Sequence, residues 1–118
     1  MINKYDIRNT DEFNRFYNWE LNTNILHHKS ENVERNLEIF KIYLGHSQQV
    51  HLWNMTKIGN EYNITRERVR QIYNKYTIHF ILYLYYILEY DPDNNLIKTL
   101  LGLLSRSRYA KSNAAFYR

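Results

Sequence analysis

Apolar side chains recur along this chain at three- and four-residue intervals, the spacing that lines one side of an α-helix. Phe13, Phe16, Tyr17 and Leu21 make the first such face, and Thr10 ahead of Asp11 and Glu12 is a good N-cap with acids in the first turn. The asparagine-rich stretch Asn22 to Lys29 reads as a connector. Ser30 then caps a second helix carrying Val33, Leu37, Phe40 and Leu44, with Gly45 where a terminating glycine would stand. Residues 46–53 show no period and are expected to be a loop or a short turn of helix. Asn54 caps a short helix to Tyr62, Asn63 makes a turn, and Thr65 caps a longer helix whose buried side is marked by Val69, Ile72, Tyr76 and Phe80. From Ile78 to Tyr90 the apolar character is nearly all-round. Asp91-Pro92-Asp93-Asn94 is expected to stop that helix, because proline disfavours the α conformation at the residue before it. A last helix, Leu96 to Leu104, packs back. Its Leu96, Ile97, Leu100, Leu101, Leu103 and Leu104 are too many for one seam, so this hairpin is central to the core or part of a subunit interface.

The expected fold is therefore all-α, with a helix-turn-helix over about residues 54–76, an N-terminal helix pair and a C-terminal apolar helical hairpin. Three glycines and one proline leave few places for hairpin turns between strands. A chain of 118 residues suits one domain, 1–118, in which 81–118 forms the hairpin and a basic tail. A hydrophobic fraction of 44 % is enough to bury a core and excludes a disordered chain. The absence of cysteine excludes disulfides and thiolate metal sites, and makes a reducing, cytoplasmic compartment the expectation. The opening MINKYDIRNTDEF has charges from residue 4 onward and no apolar run, so no secretory signal is expected. The longest apolar stretch, residues 80–88, is far short of the roughly 20 residues of a membrane span.

Charge is unevenly placed. Residues 1–53 hold six Lys/Arg against seven Asp/Glu, whereas residues 54–118 hold ten against five, so the net +4 belongs to the second half. Two clusters carry it: Arg66, Arg68, Arg70 and Lys75, and a tail with Arg106, Arg108, Lys111 and Arg118 and no acid after Asp93. Either suits phosphate neutralisation, although a basic tail also serves simply to solvate a terminus.

Residues 54–76, NMTKIGNEYNITRERVRQIYNKY, meet the helix-turn-helix restrictions wherever the geometry imposes one. Two helices crossing near a tight turn need a residue without bulk, Gly59, beside an apolar one, Ile58. The turn needs a residue that tolerates the left-handed conformation, here Asn63. Tyr62, Ile64, Val69 and Ile72 supply the apolar anchors. Such a unit places the start of its second helix, Thr65-Arg66-Glu67-Arg68, in the major groove. Arg reaches the O6 and N7 edge of guanine, Glu accepts from the cytosine N4 amine and Gln pairs with adenine, so Arg66, Glu67 and Gln71 are the candidate base readers. Thr65, Arg68, Arg70 and Lys75 are the candidate phosphate contacts.

The string Thr-Arg-Glu-Arg-Val-Arg-Gln-Ile at 65–72 resembles, residue for residue, the recognition-helix signature of region four of the bacterial primary sigma factors, which direct RNA polymerase to promoters. Ile58-Gly59 matches that family's apolar-Gly pair. Glu34-Arg35 through Phe40-Lys41-Ile42-Tyr43-Leu44-Gly45 is similar to its preceding helix, so the resemblance covers about residues 30–80. It implies that Arg66, Glu67 and Gln71 read bases of a promoter −35 element and that Arg68 and Arg70 help grip it. It also implies that Leu37, Phe40 and Leu44 line a surface docking the β flap of RNA polymerase; the plain alternative makes those three core. The chain departs from the family at Asn63, where glycine is usual, at Tyr73, where an acid is common, and in the apolar run Ile78 to Tyr90. Nothing in it resembles the region that melts the −10 element. The resemblance is to a detached region-four module such as phages and mobile elements encode.

Two functions follow as expectations. The first is a sequence-specific DNA-binding transcription regulator that binds double-stranded DNA, acts with RNA polymerase and dimerises through residues 78–104, since one helix-turn-helix reads only about half a helical turn. The alternative is an inhibitor or adaptor that uses the sigma-like surface to occupy a protein partner, either RNA polymerase or a host defence nuclease. An enzyme is not expected, nor a cofactor or a metal: His27-His28 sit in a polar connector, and Asp91 and Asp93 belong to turn chemistry. Tyr83, Tyr85, Tyr86 and Tyr90 read as core and interface aromatics rather than a platform for single strands.

Overall fold

A computed structural model of the chain describes residues 6–26, 32–47 and 54–104. Among them the secondary structure is helical throughout, with no strand, and no helix is long and apolar enough to cross a membrane. The chain divides into two compact units, Met1–Tyr73 and Asn74–Arg118.

The first unit opens with a 3₁₀ turn, Ile7–Asn9, held by Asp6. The Asp6 carboxylate accepts the Arg8 backbone N–H at 2.9 Å and the Arg8 guanidinium at 2.7 Å through Nη2 and 3.1 Å through Nε. The Thr10 hydroxyl donates to the Ile7 carbonyl at 2.7 Å and accepts from the Phe13 N–H at 3.1 Å, which caps α1, Asp11–Leu26, at the expected residue. Phe13 and Phe16 are buried, Tyr17 and Leu21 half-buried. Helix α1 runs on through residues 22–26, which the asparagine content marked as connector; an asparagine inside a helix costs only a fraction of a kcal/mol, too little to end one that packs elsewhere. Residues 27–29 and the expected cap Ser30 lie outside the described residues.

Helix α2, Val33–Ser47, follows Asn32, which is left-handed at φ 67° and accepts the Asn36 N–H at 2.8 Å. Helix α1 packs on α2 through rings: Phe40 stacks on Phe13 at 6.1 Å between centroids and meets Phe16 edge-on at 6.2 Å. At the edge of this packing the Tyr17 hydroxyl donates to the Glu38 carboxylate at 3.0 Å. Gly45 does not terminate α2. It is buried inside the helix at an ordinary helical φ, and a Cβ there would lie 2.6 Å from Nη1 and 2.8 Å from Nε of Arg8. The missing side chain makes room for the guanidinium passing over α2. Residues 46 and 47, expected in a loop, are helical, and 48–53 lie outside the described residues.

Helix α3, Asn54–Tyr62, contacts α2 and buries Met55 and Ile58. Helix α4, Arg66–Leu82, starts in the first unit, where Tyr73 is buried with its ring 6.0 Å from Phe40 and 4.7 Å from Tyr43, perpendicular to the latter.

The second unit takes over α4 at Asn74 and buries Tyr76, Thr77 and Phe80. The helix then widens into a π turn, Tyr83–Ile87, and stops before the Asp91-Pro92 signal expected to end it. The Leu88 N–H donates to the Tyr83 carbonyl at 3.1 Å, the Tyr90 N–H to the Leu84 carbonyl at 2.9 Å, and Glu89 between them is left-handed at φ 58°. This is a Schellman-like end with one extra residue, so the chain turns away before proline can act. Asp91 to Asn94 form the linking turn, in which the Asp91 carboxylate accepts the Asp93 N–H at 2.8 Å. Asn94 Oδ1 accepts the Leu96 N–H at 2.8 Å and so caps a further helix, α5, described over residues 95–104, one residue earlier than expected. Ile97, Leu100, Leu103 and Leu104 are buried, while Leu101 is exposed.

Two measurements test this packing. Gly45→Ala gains roughly 1 kcal/mol of helix propensity but displaces the Arg8 guanidinium from Asp6. We expect it to stabilise an Arg8→Ala background by about 0.5–1 kcal/mol and to lose that gain with Arg8 present, a coupling visible in a denaturation double-mutant cycle. Identical effects in both backgrounds would remove the steric account. The second concerns Tyr17, whose pKa is pushed above its ordinary value of 10.0 by burial first and by its hydrogen bond to Glu38 second. The neutral phenol is thus favoured in the fold, and its contribution is complete below pH about 10 and lost as pH rises further, when the unfolded chain ionises first. Tyr17→Phe should flatten the fall of the thermal midpoint between pH 9 and 11.

Candidate nucleic-acid interface

The junction of α3 and α4 is closed by one backbone contact. The Ile64 N–H donates to the Gly59 carbonyl at 2.9 Å, and a Cβ on Gly59 would lie 2.7 Å from the Ile64 carbonyl oxygen, closer than real Cβ atoms come. Gly59 is therefore required by approach rather than by conformation. Asn63, at φ 61°, turns the chain in the left-handed region, which asparagine tolerates better than most residues. Thr65 then caps α4: its hydroxyl accepts the Arg68 N–H at 3.0 Å and its carbonyl accepts the Val69 N–H at 3.1 Å.

With Val69, Ile72 and Tyr73 buried, helical spacing sends Glu67 and Gln71 to the opposite side of α4 and puts Arg68 and Arg70 on its two flanks. Thr65, Arg66, Arg68 and Gln71 are exposed, so four of the seven candidate contacts face outward at the start of one helix. The others carry more structure than the sequence implies. Arg70 forks onto the Glu67 carboxylate, with Nε at 3.1 Å and Nη2 closer still, and both side chains are half-buried. The hydrogen bond to Glu67 is the largest cause raising the Arg70 pKa; desolvation opposes it and the charge of Glu67 adds to it. Arg68 Nη1 donates to Gln71 Oε1 at 3.3 Å. The i,i+3 spacing of both pairs is legible in the sequence, but which cation takes which acceptor is not.

Lys75, the seventh candidate, falls in the second unit, exposed, with Nζ 5.4 Å from the Tyr76 ring centroid. Leu37, Phe40 and Leu44 are wholly buried and line no docking surface: they are the core of the first unit, and the outward side of α2 is charged, with Glu34, Glu38 and Lys41. Lys57 is exposed on α3. The tail cations, Arg106 to Arg118, and His27-His28 lie outside the described residues. Among the described residues no group of three or more His, Asp or Glu is placed to hold a metal ion. Tyr83 is buried, whereas Tyr85 and Tyr86 are exposed and meet edge to face at 4.8 Å, so they do not present parallel stacking faces.

The junction predicts a sharp asymmetry. Gly59→Ala pushes a methyl group into backbone and should cost about 1–3 kcal/mol. Asn63→Ala should cost about 1–2 kcal/mol through its left-handed φ, while Asn63→Gly should cost nothing. Urea titrations of the three variants check this, and an Asn63→Gly variant weaker than Asn63→Ala would contradict it.

No protein-family model, curated protein or solved structure matches the chain.

Proposed function

We propose that α3, the Asn63 turn and α4 form a helix-turn-helix and that the protein is a non-enzymatic, sequence-specific DNA-binding transcription regulator of the sigma-region-four type. The observation that carries this reading is the start of α4, where a capped helix N-terminus exposes Thr65, Arg66, Arg68 and Gln71 together beside a junction closed at Gly59. A helix N-terminus with an exposed hydroxyl and two guanidinium groups suits phosphate oxygens, and Arg66 and Gln71 have the hydrogen-bonding patterns for guanine and adenine edges. Glu67, the third expected base reader, is paired with Arg70 on the same helix. The pair also holds Arg70 on the flank of the helix, where a phosphate contact would form.

Lys75, the remaining expected phosphate contact, lies in the second unit, and the reading is carried by the residues of the first. The flap-docking role that the resemblance implies has no support from Leu37, Phe40 and Leu44, which are buried. Cooperation with RNA polymerase therefore rests on the sequence resemblance over about residues 30–80 alone.

Selection from a pool of random duplex DNA at physiological salt is the test. An enriched motif is expected. Arg66→Ala should lose about 1–3 kcal/mol at a single base position, whereas Arg68→Ala should weaken binding to every sequence and lower the salt slope by about one. No enrichment, or equal binding of both variants to every sequence, would overturn base readout and favour a protein partner instead.

A further inference from the structure

We propose that the outward face of the second half of α4 and its π turn binds a second copy of this chain, antiparallel, in a two-fold symmetric contact. Ile78, Leu82, Tyr85, Tyr86 and Ile87 are between 37 % and 67 % exposed, although all five are large and apolar or aromatic. They do not belong to an incomplete core, because Tyr76, Thr77, Phe80, Tyr83 and Leu84 already fill the buried side of the same segment. Exposed side chains of this size in one short segment form a patch on the order of a few hundred Å², the scale that marks interaction sites.

The π turn shapes the patch. An α-helix turns about 100° per residue, which would carry Tyr86 well round from Ile78. The extra residue of the i→i+5 turn brings Tyr86 back towards the line of Ile78 and Leu82 and leaves Tyr85 and Ile87 on either side of it. The result is aromatic and free of charge, the composition found at the centre of protein interfaces.

Charge selects the occupant and its direction. Between Lys75 and Glu89 there is no Asp, Glu, Lys or Arg, and both of these end residues are exposed. The strip is thus a cation, an apolar row and an anion in order. A second copy laid antiparallel sets Lys75 of each against Glu89 of the other and buries the apolar row between them, whereas a parallel copy would set like charge on like. That self-complementarity is what an isologous contact requires. The inference uses only residues of the second unit and does not depend on DNA binding.

Sedimentation equilibrium of the full chain tests it. The wild type should show a concentration-dependent monomer to dimer equilibrium. Leu82→Glu and Tyr86→Glu, both at exposed positions, should give monomers with unchanged helical circular dichroism. K75E and E89K should each self-associate about three- to tenfold more weakly, because each sets like charges together. An equimolar mixture of K75E and E89K should recover wild-type association, as should the double variant K75E/E89K. A wild-type mass that stays monomeric at every concentration, or a dimer that survives both glutamate substitutions, would overturn the proposal. So would binding to anionic vesicles by a chain that is monomeric in solution. Loss of association in both charge variants without recovery on mixing would overturn the antiparallel arrangement.

Discussion

Phe40 is the residue through which the first unit is held in register. Its ring lies against Phe13 and Phe16 of α1 and against Tyr73 of α4, and Tyr43, one turn further along α2, closes on the same tyrosine edge-on. Aromatic rings are rigid and prefer tilted or edge-on meetings, so a cluster of this kind limits how far one helix can rotate against its neighbour. With Tyr73 so held, the start of α4 has one azimuth. That azimuth turns Val69 and Ile72 inward and Arg68 and Gln71 outward.

The junction before α4 adds a second constraint of a different kind. The Ile64 carbonyl approaches Gly59 so closely that no side chain fits, and the Ile64 N–H is bonded back to the Gly59 carbonyl. Ring packing sets rotation, and backbone approach sets where the helix begins. The polar face inherits its order from both. Because that face is fixed by buried groups, the exposed side chains on it are free to be chosen for contact. The Glu67–Arg70 fork places an acid among the cations and binds it to one of them.

The second unit is built on a different principle. It lets a helix that is apolar on most sides bury one face and leave Ile78, Leu82 and Tyr86 exposed on the other. The π turn and the left-handed Glu89 end that helix on its own backbone bonds, so proline is left to shape the turn that follows. Among the described residues the exposed apolar side chains gather in this strip, with Trp19 and Leu101 outside it.

Much was legible from the chain alone. Thr10 and Thr65 cap where a hydroxyl precedes an apolar period, Asn63 takes the left-handed turn, and the positions Phe13, Phe16, Leu37, Phe40, Leu44, Val69, Ile72 and Phe80 are buried, because capping, turn conformation and periodicity are properties of neighbours in sequence. The failures share one cause. Gly45 looks like a helix end until Arg8, far away along the chain, is seen to occupy its missing side chain. The segment from Asn22 to Leu26 looks like a linker because propensity is local and small. The pairing of Arg70 with Glu67, the early helix end at Ile87 and the division of one apolar run into a buried and an exposed face depend on which surfaces meet. Sequence determined the helices, the Thr10 and Thr65 caps, the periodic buried faces and the polar content of the candidate interface; only tertiary structure decided that α2 runs on past Gly45 and which part of the apolar run 78–90 faces solvent, since these depend on neighbours distant in the chain.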